Sequence, residues 1–268
     1  MEIKLIACDL DGTLLDSRGR LSPENLDAIR RMTDKGYCFV PTSGRNREQI
    51  PQALQQFPGI RYLITLSGAC VTQLPEGKAL FRHPLSREHA DRLLRIGKQQ
   101  GAAVLLYTPE GVLLEHGALE QRQDRALLED AIGACRPVGD AQAFCLAEDV
   151  QVEKAVFFCR DAAQETRLHQ ALDDGTFQLC VSAENCLEVT ARGIHKATGI
   201  RALLLRLKLL PEQVLTIGDS GNDVSMLELT PNSFAVANAM PEAKRAARHL
   251  TVSNDQHVAL RIARLLGI

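Results

Sequence analysis

The chain has 268 residues, 31 basic and 33 acidic side chains and a formal charge of −2, with 45% hydrophobic and 24% charged residues. That balance excludes wholesale disorder, and near-neutral charge with 4% aromatics and no Trp argues against a nucleic-acid surface. The length allows one large domain or two smaller ones, and no run approaches the ~18 apolar residues of a membrane helix.

In chain order, Lys4 to Cys8 is a short apolar run that reads as a buried strand ending at Asp9. Ser22-Pro23-Glu24 starts a helix, with a hydroxyl cap and proline at the first helical position; Ala28, Ile29 and Met32 recur at helical spacing until Gly36. A second strand is expected over 37–40, a helix over 47–56 and a third strand over 61–66, closed by Ser67-Gly68. Strand-helix-strand units of this length favour parallel pairing with right-handed crossovers.

The middle of the chain has a different texture. Strands come in pairs, 104–107 with 112–115 and 177–181 with 186–190, beside helices at 87–100 and 162–172, which suggests an α+β insert. The α/β pattern then returns: a helix over 196–208, a strand over 213–217, a helix after Gly221, a strand over 234–236, a helix after Pro241 and a last helix from Gln256. Residues 84–188 hold 10 basic and 18 acidic side chains, net −8, against net +6 for the rest. The expected organisation is a core built from 1–83 and 189–268, a doubly wound parallel sheet, interrupted by an α+β cap at 84–188.

Met1-Glu2-Ile3-Lys4 lacks the basic start, apolar run and small-residue cleavage site of a secretory signal, so a cytoplasmic protein is expected. The eight cysteines never form CxxC and several lie in apolar runs, which reads as reduced buried thiols. HExxH, GxGxxG and P-loop patterns do not occur.

Asp9-Leu10-Asp11-Gly12-Thr13 carries the strongest chemical signal. Two carboxylates directly after a buried strand are costly unless a cation meets them, and doubly wound sheets bind ligands at the carboxyl ends of their strands. Asp9 to Leu15 resembles the first motif of the haloacid dehalogenase-like phosphatases, in their Cof-type branch. Three further segments are similar to that family's motifs in order: Thr42-Ser43-Gly44-Arg45, Lys196 after Gly193-Ile194-His195, and Gly218-Asp219-Ser220-Gly221-Asn222-Asp223. Asn238-Ala239 and Val252-Ser253-Asn254-Asp255 resemble the branch's C-terminal segments, while Ser67-Gly68 stands where the branch often has Asn-Gly, and His257 where it usually has Gly.

A phosphomonoester dianion would be repelled by Asp9, Asp11 and Asp219, on the order of 4 kcal/mol per like-charge pair at ~4 Å and an effective dielectric of about 20. The carboxylates therefore form a metal site first, and Mg²⁺ suits oxygen ligands, with Lys196 adding a further positive charge. The resemblance implies the roles. Asp9 attacks phosphorus to give an aspartyl-phosphate, and Asp11 acts as general acid and then base. Mg²⁺ is held by Asp9, the backbone carbonyl of Asp11 and Asp219. Ser43, the amides of Leu10 and Gly44, Lys196 and Asn222 bind phosphoryl oxygens. Asp223 orients the metal site, and Arg45 reads either as an anion contact or as a surface arginine.

The expected activity is Mg²⁺-dependent hydrolysis of a small phosphorylated metabolite, a sugar phosphate or similar phosphomonoester, with no nucleic-acid or membrane partner. The alternatives are a phosphotransferase or mutase using the same intermediate and, from another class, a receiver-like module that holds phospho-aspartate without turnover.

Overall fold

The computed structural model describes residues 2–115 and 135–268. The chain forms two compact units, Met1–Phe81 with His195–Ile268, and Arg82–Ile194.

The first unit is built on five parallel strands in the order β14-β13-β12-β1-β2: β1 (Leu5–Cys8), β2 (Cys38–Pro41), β12 (Val214–Gly218), β13 (Asn232–Ala235) and β14 (His249–Leu250). β1 lies between β2 and β12, with Cys8 level with Pro41 on one side and Ile217 on the other. Its side chains alternate between two cores. Ile6 and Cys8 join Ile29, Met32 and Ile262 from the helices Pro23–Asp34 and Val258–Leu265. Leu5 and Ala7 join Ile200, Leu203 and Leu204 from the helix Lys196–Leu207. A strand covered on both faces has no polar side to show, which is why it reads as an unbroken apolar run. An isolated parallel bridge from Thr42 to Ile64 leads to a three-stranded sheet of β3 (Tyr62–Thr65), β4 (Cys70–Gln73) and β5 (Lys78–Arg82).

The second unit carries a six-stranded sheet in the order β10-β11-β9-β6-β7-β8, comprising β6 (Ala103–Thr108), β7 (Gly111–Glu115), β8 (Arg136–Val138), β9 (Lys154–Phe158), β10 (Phe177–Ala183) and β11 (Cys186–Ala191). The two expected hairpins are present, and β9 joins them by pairing antiparallel with β6 and with β11. The helix Arg87–Gln99 lies on one face, where Gly97 sits against the Phe157 ring. The second crossing between units falls at 194/195, later than the 188/189 expected, because β11 runs on to Ala191 and Thr190 Oγ1 donates to the Ile194 carbonyl at 2.8 Å.

Several local expectations need correction. The helix expected over 47–56 is reduced to Gln52–Gln55, because Pro51 sets its start and 46–49 instead form a turn closed by Asn46 and Gln49, each side chain accepting the other's amide. The helix after Gly221 is a 3₁₀ turn, Gly221–Asp223, followed by the single turn Val224–Leu227. The last helix begins at Val258, since His257 lies in the left-handed region at φ 58. Among the described residues no helix is long and apolar enough to cross a membrane. Cys8, Cys38, Cys70 and Cys145 are buried thiols.

Candidate active site

The site begins where β1, β2 and β12 end side by side. Asp9, 4% exposed, leaves β1 with its amide donating to the Ile217 carbonyl at 3.0 Å. The chain then makes a five-residue turn, Leu10–Leu14, closed by the Leu15 amide on the Leu10 carbonyl at 2.9 Å. Gly12 sits there at φ +73, and a Cβ on it would collide with Asp219 Oδ2. Glycine is thus required twice, for the left-handed backbone and for the approach of the acid. The next residue, Thr13, is fully buried and donates from Oγ1 to Asp219 Oδ1 at 3.0 Å.

Asp219 follows β12, and the 3₁₀ turn after it folds Asp223 back into the site. Asp223 Oδ2 accepts the amides of Asp219 and Ser220 at 2.8 and 3.1 Å. Lys196, first residue of its helix and 1% exposed, spans the cluster. Its Nζ lies 2.6 Å from Asp9 Oδ1 and 2.5 Å from Asp223 Oδ1. The helix is placed by the turn Leu66–Gly68: Gly68, at φ +97, lets the chain approach so closely that a Cβ would overlap the His195 carbonyl.

One carboxylate oxygen from each of Asp9, Asp219 and Asp223 lies within 4.8 Å of the others. Burial pushes the Asp9 carboxyl well above the usual carboxylate range; Asp223 and Asp219 push the same way and Lys196 opposes them. Burial and Asp223 likewise raise Asp219. For Lys196, burial alone would lower the pKa, but Asp223 and Asp9 overcome it and the net shift is upward, so the ammonium stays charged. One ammonium against three acids leaves negative charge in a dry place, and the donors are all hard oxygens. That set fits a small divalent cation.

The remaining expected residues surround this cluster. Ser43, 1% exposed, follows β2; its Oγ accepts the Arg45 amide at 3.2 Å, and its carbonyl accepts the Ser67 amide at 3.1 Å. Leu10 is buried at the start of the turn, and Gly44 follows Ser43 half-buried. Asn222 sits in the turn between Asp219 and Asp223, its Oδ1 accepting from Ser220 Oγ at 3.2 Å. The Asp11 side chain lies outside the acid cluster. It is 54% exposed and gripped by Arg45, which donates from Nε and Nη2 at 2.8 and 2.6 Å while Nη1 donates to the Gln49 carbonyl at 2.8 Å.

Sequence reasoning left several residues without a role. Asn25, 1% exposed, donates to the Leu14 carbonyl and accepts the Ala259 amide, both at 2.9 Å. Asn254 donates to the Leu15 carbonyl at 3.0 Å. Asn238 donates to the Gly12 carbonyl at 2.8 Å and accepts the Asn254 amide at 2.9 Å. Two residues on, the Met240 amide donates to the Asp219 carbonyl at 2.7 Å. The three asparagine side chains hold the Gly12, Leu14 and Leu15 backbone, and the Met240 amide holds that of Asp219. The available signal was that asparagines stand near turns in the motif-bearing segments, without any indication of what they would reach.

The family model for haloacid dehalogenase-like hydrolases matches residues 6–262. An HMP-PP phosphatase of Klebsiella pneumoniae is 28% identical over 256 residues, covering 94% of this chain and 90% of that protein. Phosphatase YwpJ of Bacillus subtilis is 26% identical, with 95% and 96% covered. Among solved structures, a haloacid dehalogenase-like hydrolase from Bacteroides thetaiotaomicron aligns with a TM-score of 0.82 at 27% identity, covering 98% of this chain and 100% of that one. One from B. subtilis shares the fold at TM-score 0.87 and 24% identity, with 98% and 99% covered.

Proposed function

Because the chain belongs to the haloacid dehalogenase-like hydrolases and is a phosphoric monoester hydrolase, we propose that it is a Mg²⁺-dependent cytoplasmic phosphatase of a small phosphorylated metabolite, working through an aspartyl-phosphate on Asp9. The observation that carries this reading is the buried Asp9–Lys196–Asp223 chain beside Asp219: a nucleophile-bearing acid with an ammonium 2.6 Å away and further carboxylates within 4.8 Å.

Asp9, Asp219 and the backbone carbonyl of Asp11 would hold the cation, which when bound supplies two positive charges beside the phosphoryl group. A carboxylate oxygen of Asp9 attacks phosphorus; the Asp9–phosphorus bond forms as the bond to the ester oxygen breaks. The Asp11 carboxyl gives its proton to that oxygen, and the resulting carboxylate takes one from the water that attacks the phospho-aspartate, releasing phosphate and regenerating Asp9. Lys196, Ser43, Asn222 and the amides of Leu10 and Gly44 receive the phosphoryl oxygens as charge builds on them. The relatives named for phosphatase activity, one of them toward HMP-PP, support a small phosphorylated substrate.

The test is steady-state turnover of a panel of phosphate esters with and without Mg²⁺, with Asp9→Asn as control. Turnover that needs Mg²⁺ and disappears in the variant is expected. Turnover surviving either change refutes the mechanism. A stable phospho-aspartate without release of phosphate would favour the binding-module alternative.

A further inference from the structure

The three converging acids hold six carboxylate oxygens, and most of them are already in use. Lys196 occupies Asp9 Oδ1 and Asp223 Oδ1. The backbone amides of Asp219 and Ser220 occupy Asp223 Oδ2. Thr13 Oγ1 occupies Asp219 Oδ1. Among the described residues, these bonds tie back Asp9 Oδ1, Asp219 Oδ1 and both oxygens of Asp223. Asp9 and Asp219 are each thereby tied by one oxygen, Asp9 by a residue of the catalytic machinery and Asp219 by a threonine that no step of the reaction uses.

We infer that Thr13 is a positioning residue that restricts Asp219 to a single cation-facing oxygen, and that this restriction makes the site favour Mg²⁺ over Ca²⁺. The inference rests on the cation-site reading proposed above. Its physical basis is the difference between the two ions. Ca²⁺ takes about six to eight oxygens in irregular geometry and readily accepts both oxygens of one carboxylate, whereas Mg²⁺ demands a near-octahedral set with one oxygen from each acid. A carboxylate free to rotate serves Ca²⁺ well; one with an oxygen tied back serves Mg²⁺.

The tie is a rigid one. Thr13 is fully buried, so its hydroxyl has no water to turn to, and it stands in a turn whose backbone is fixed on both sides. Asn238 holds the Gly12 carbonyl, Asn25 the Leu14 carbonyl and Asn254 the Leu15 carbonyl. Asp219 is held from its own side as well, its carbonyl accepting the Met240 amide at 2.7 Å. The short segment from Asn238 to Met240 therefore touches both arms of the site, the turn that carries Thr13 and the strand end that carries Asp219. Gly12 completes the arrangement, because Asp219 Oδ2 lies where a side chain would otherwise be. Backbone, hydroxyl and glycine together leave Asp219 one orientation.

The test is calorimetric titration of metal-stripped protein with Mg²⁺ and, separately, Ca²⁺, using wild type, Thr13→Val and Thr13→Ser. Valine keeps the shape and removes the hydroxyl; serine keeps the hydroxyl and removes the methyl. For Thr13→Val the Mg²⁺ dissociation constant should rise about 10–100-fold, while that for Ca²⁺ stays within about threefold because Ca²⁺ tolerates the loosened carboxylate. Thr13→Ser should keep both constants within about threefold of wild type, since the hydroxyl remains. An unchanged Mg²⁺/Ca²⁺ ratio in Thr13→Val, parallel weakening of both ions, or a serine variant that behaves like valine overturns the inference. If circular dichroism shows Thr13→Val unfolded, Thr13→Ala is judged by the same ratios. Wild type that binds neither ion refutes the cation-site reading itself, which separates that failure from a failure of Thr13.

Discussion

Replacing Lys196 with methionine removes the cation that, among the described residues, lies inside the acid cluster, while keeping most of the side-chain volume. Its Nζ lies 2.6 and 2.5 Å from Asp9 and Asp223, whose side chains are 5% and 0% exposed. At an effective dielectric of about 20, each contact is worth on the order of 6 kcal/mol of Coulomb attraction. Desolvation of the three ions, several kcal/mol apiece, offsets most of it. Removing only the ammonium keeps the desolvation and discards the attraction. The expected loss is about 3–5 kcal/mol in urea unfolding at about pH 7.5 with EDTA present.

The pH dependence gives a sharper test. Burial and the neighbouring acids raise the folded-state pKa of Asp9 above its unfolded value. A raised carboxyl favours folding while protonated, and that contribution is lost as pH climbs through the raised pKa. Without Lys196 that pKa rises further, so the deficit of the variant should be small near pH 5 and grow toward neutrality. The raised pKa of Lys196 itself keeps its contribution intact across this range; it is lost only above the ordinary lysine value. A loss under about 1 kcal/mol at neutral pH, or the same loss at both pH values, would refute the claim that this ammonium is the internal counterion.

Other substitutions test the frame around the cluster. Gly12→Ala should abolish cation binding in calorimetry and turnover in the steady state, since φ +73 and the collision with Asp219 Oδ2 both oppose a side chain. Asn25→Ala should lower stability by about 2–4 kcal/mol in chemical denaturation, because the Leu14 carbonyl and the Ala259 amide lose a buried partner together. Arg45→Ala should change stability by about 1 kcal/mol or less, the pair with Asp11 being partly solvated. The same change should reduce kcat about 10–100-fold by releasing the acid it orients; an unaltered kcat would show that Asp11 needs no such hold.

The core strands were legible because burial on both faces writes itself into local composition: β1 is a run of apolar residues, β12 is apolar but for Thr216 and Gly218, and an acid follows each. The hairpins of the second unit were legible from paired apolar runs around short turns. β9, between them, was not. Its Lys154-Ala-Val-Phe-Phe run opens with a lysine that looks like a surface residue but is 1% exposed and paired with Glu188 at 2.8 Å. A charge neutralised by a partner on another strand carries no local mark of being buried. The helix expected over 47–56 is shortened by local chemistry, the Asn46–Gln49 turn and Pro51.

The same division runs through the site. The acids and the lysine could be located from the family-like motifs and their order, so Asp9 and Asp219 were found as acids at strand ends and Lys196 as the start of a helix. What most of the acids are bonded to could not be found that way, because the contacts that join one motif to another link residues far apart in sequence. Lys196 reaches back 187 positions to Asp9, and Thr13 reaches forward 206 to Asp219. Those contacts gather Asp9, Asp219 and Asp223 around Lys196 and leave the Asp11 side chain apart from them. Asp11, only two residues from Asp9, shows the consequence: adjacency suggested a carboxylate pair, yet the turn at Gly12 sends its side chain to Arg45 and leaves Asp9 among Lys196, Asp219 and Asp223. The motif names the acids, and the fold gives them different partners.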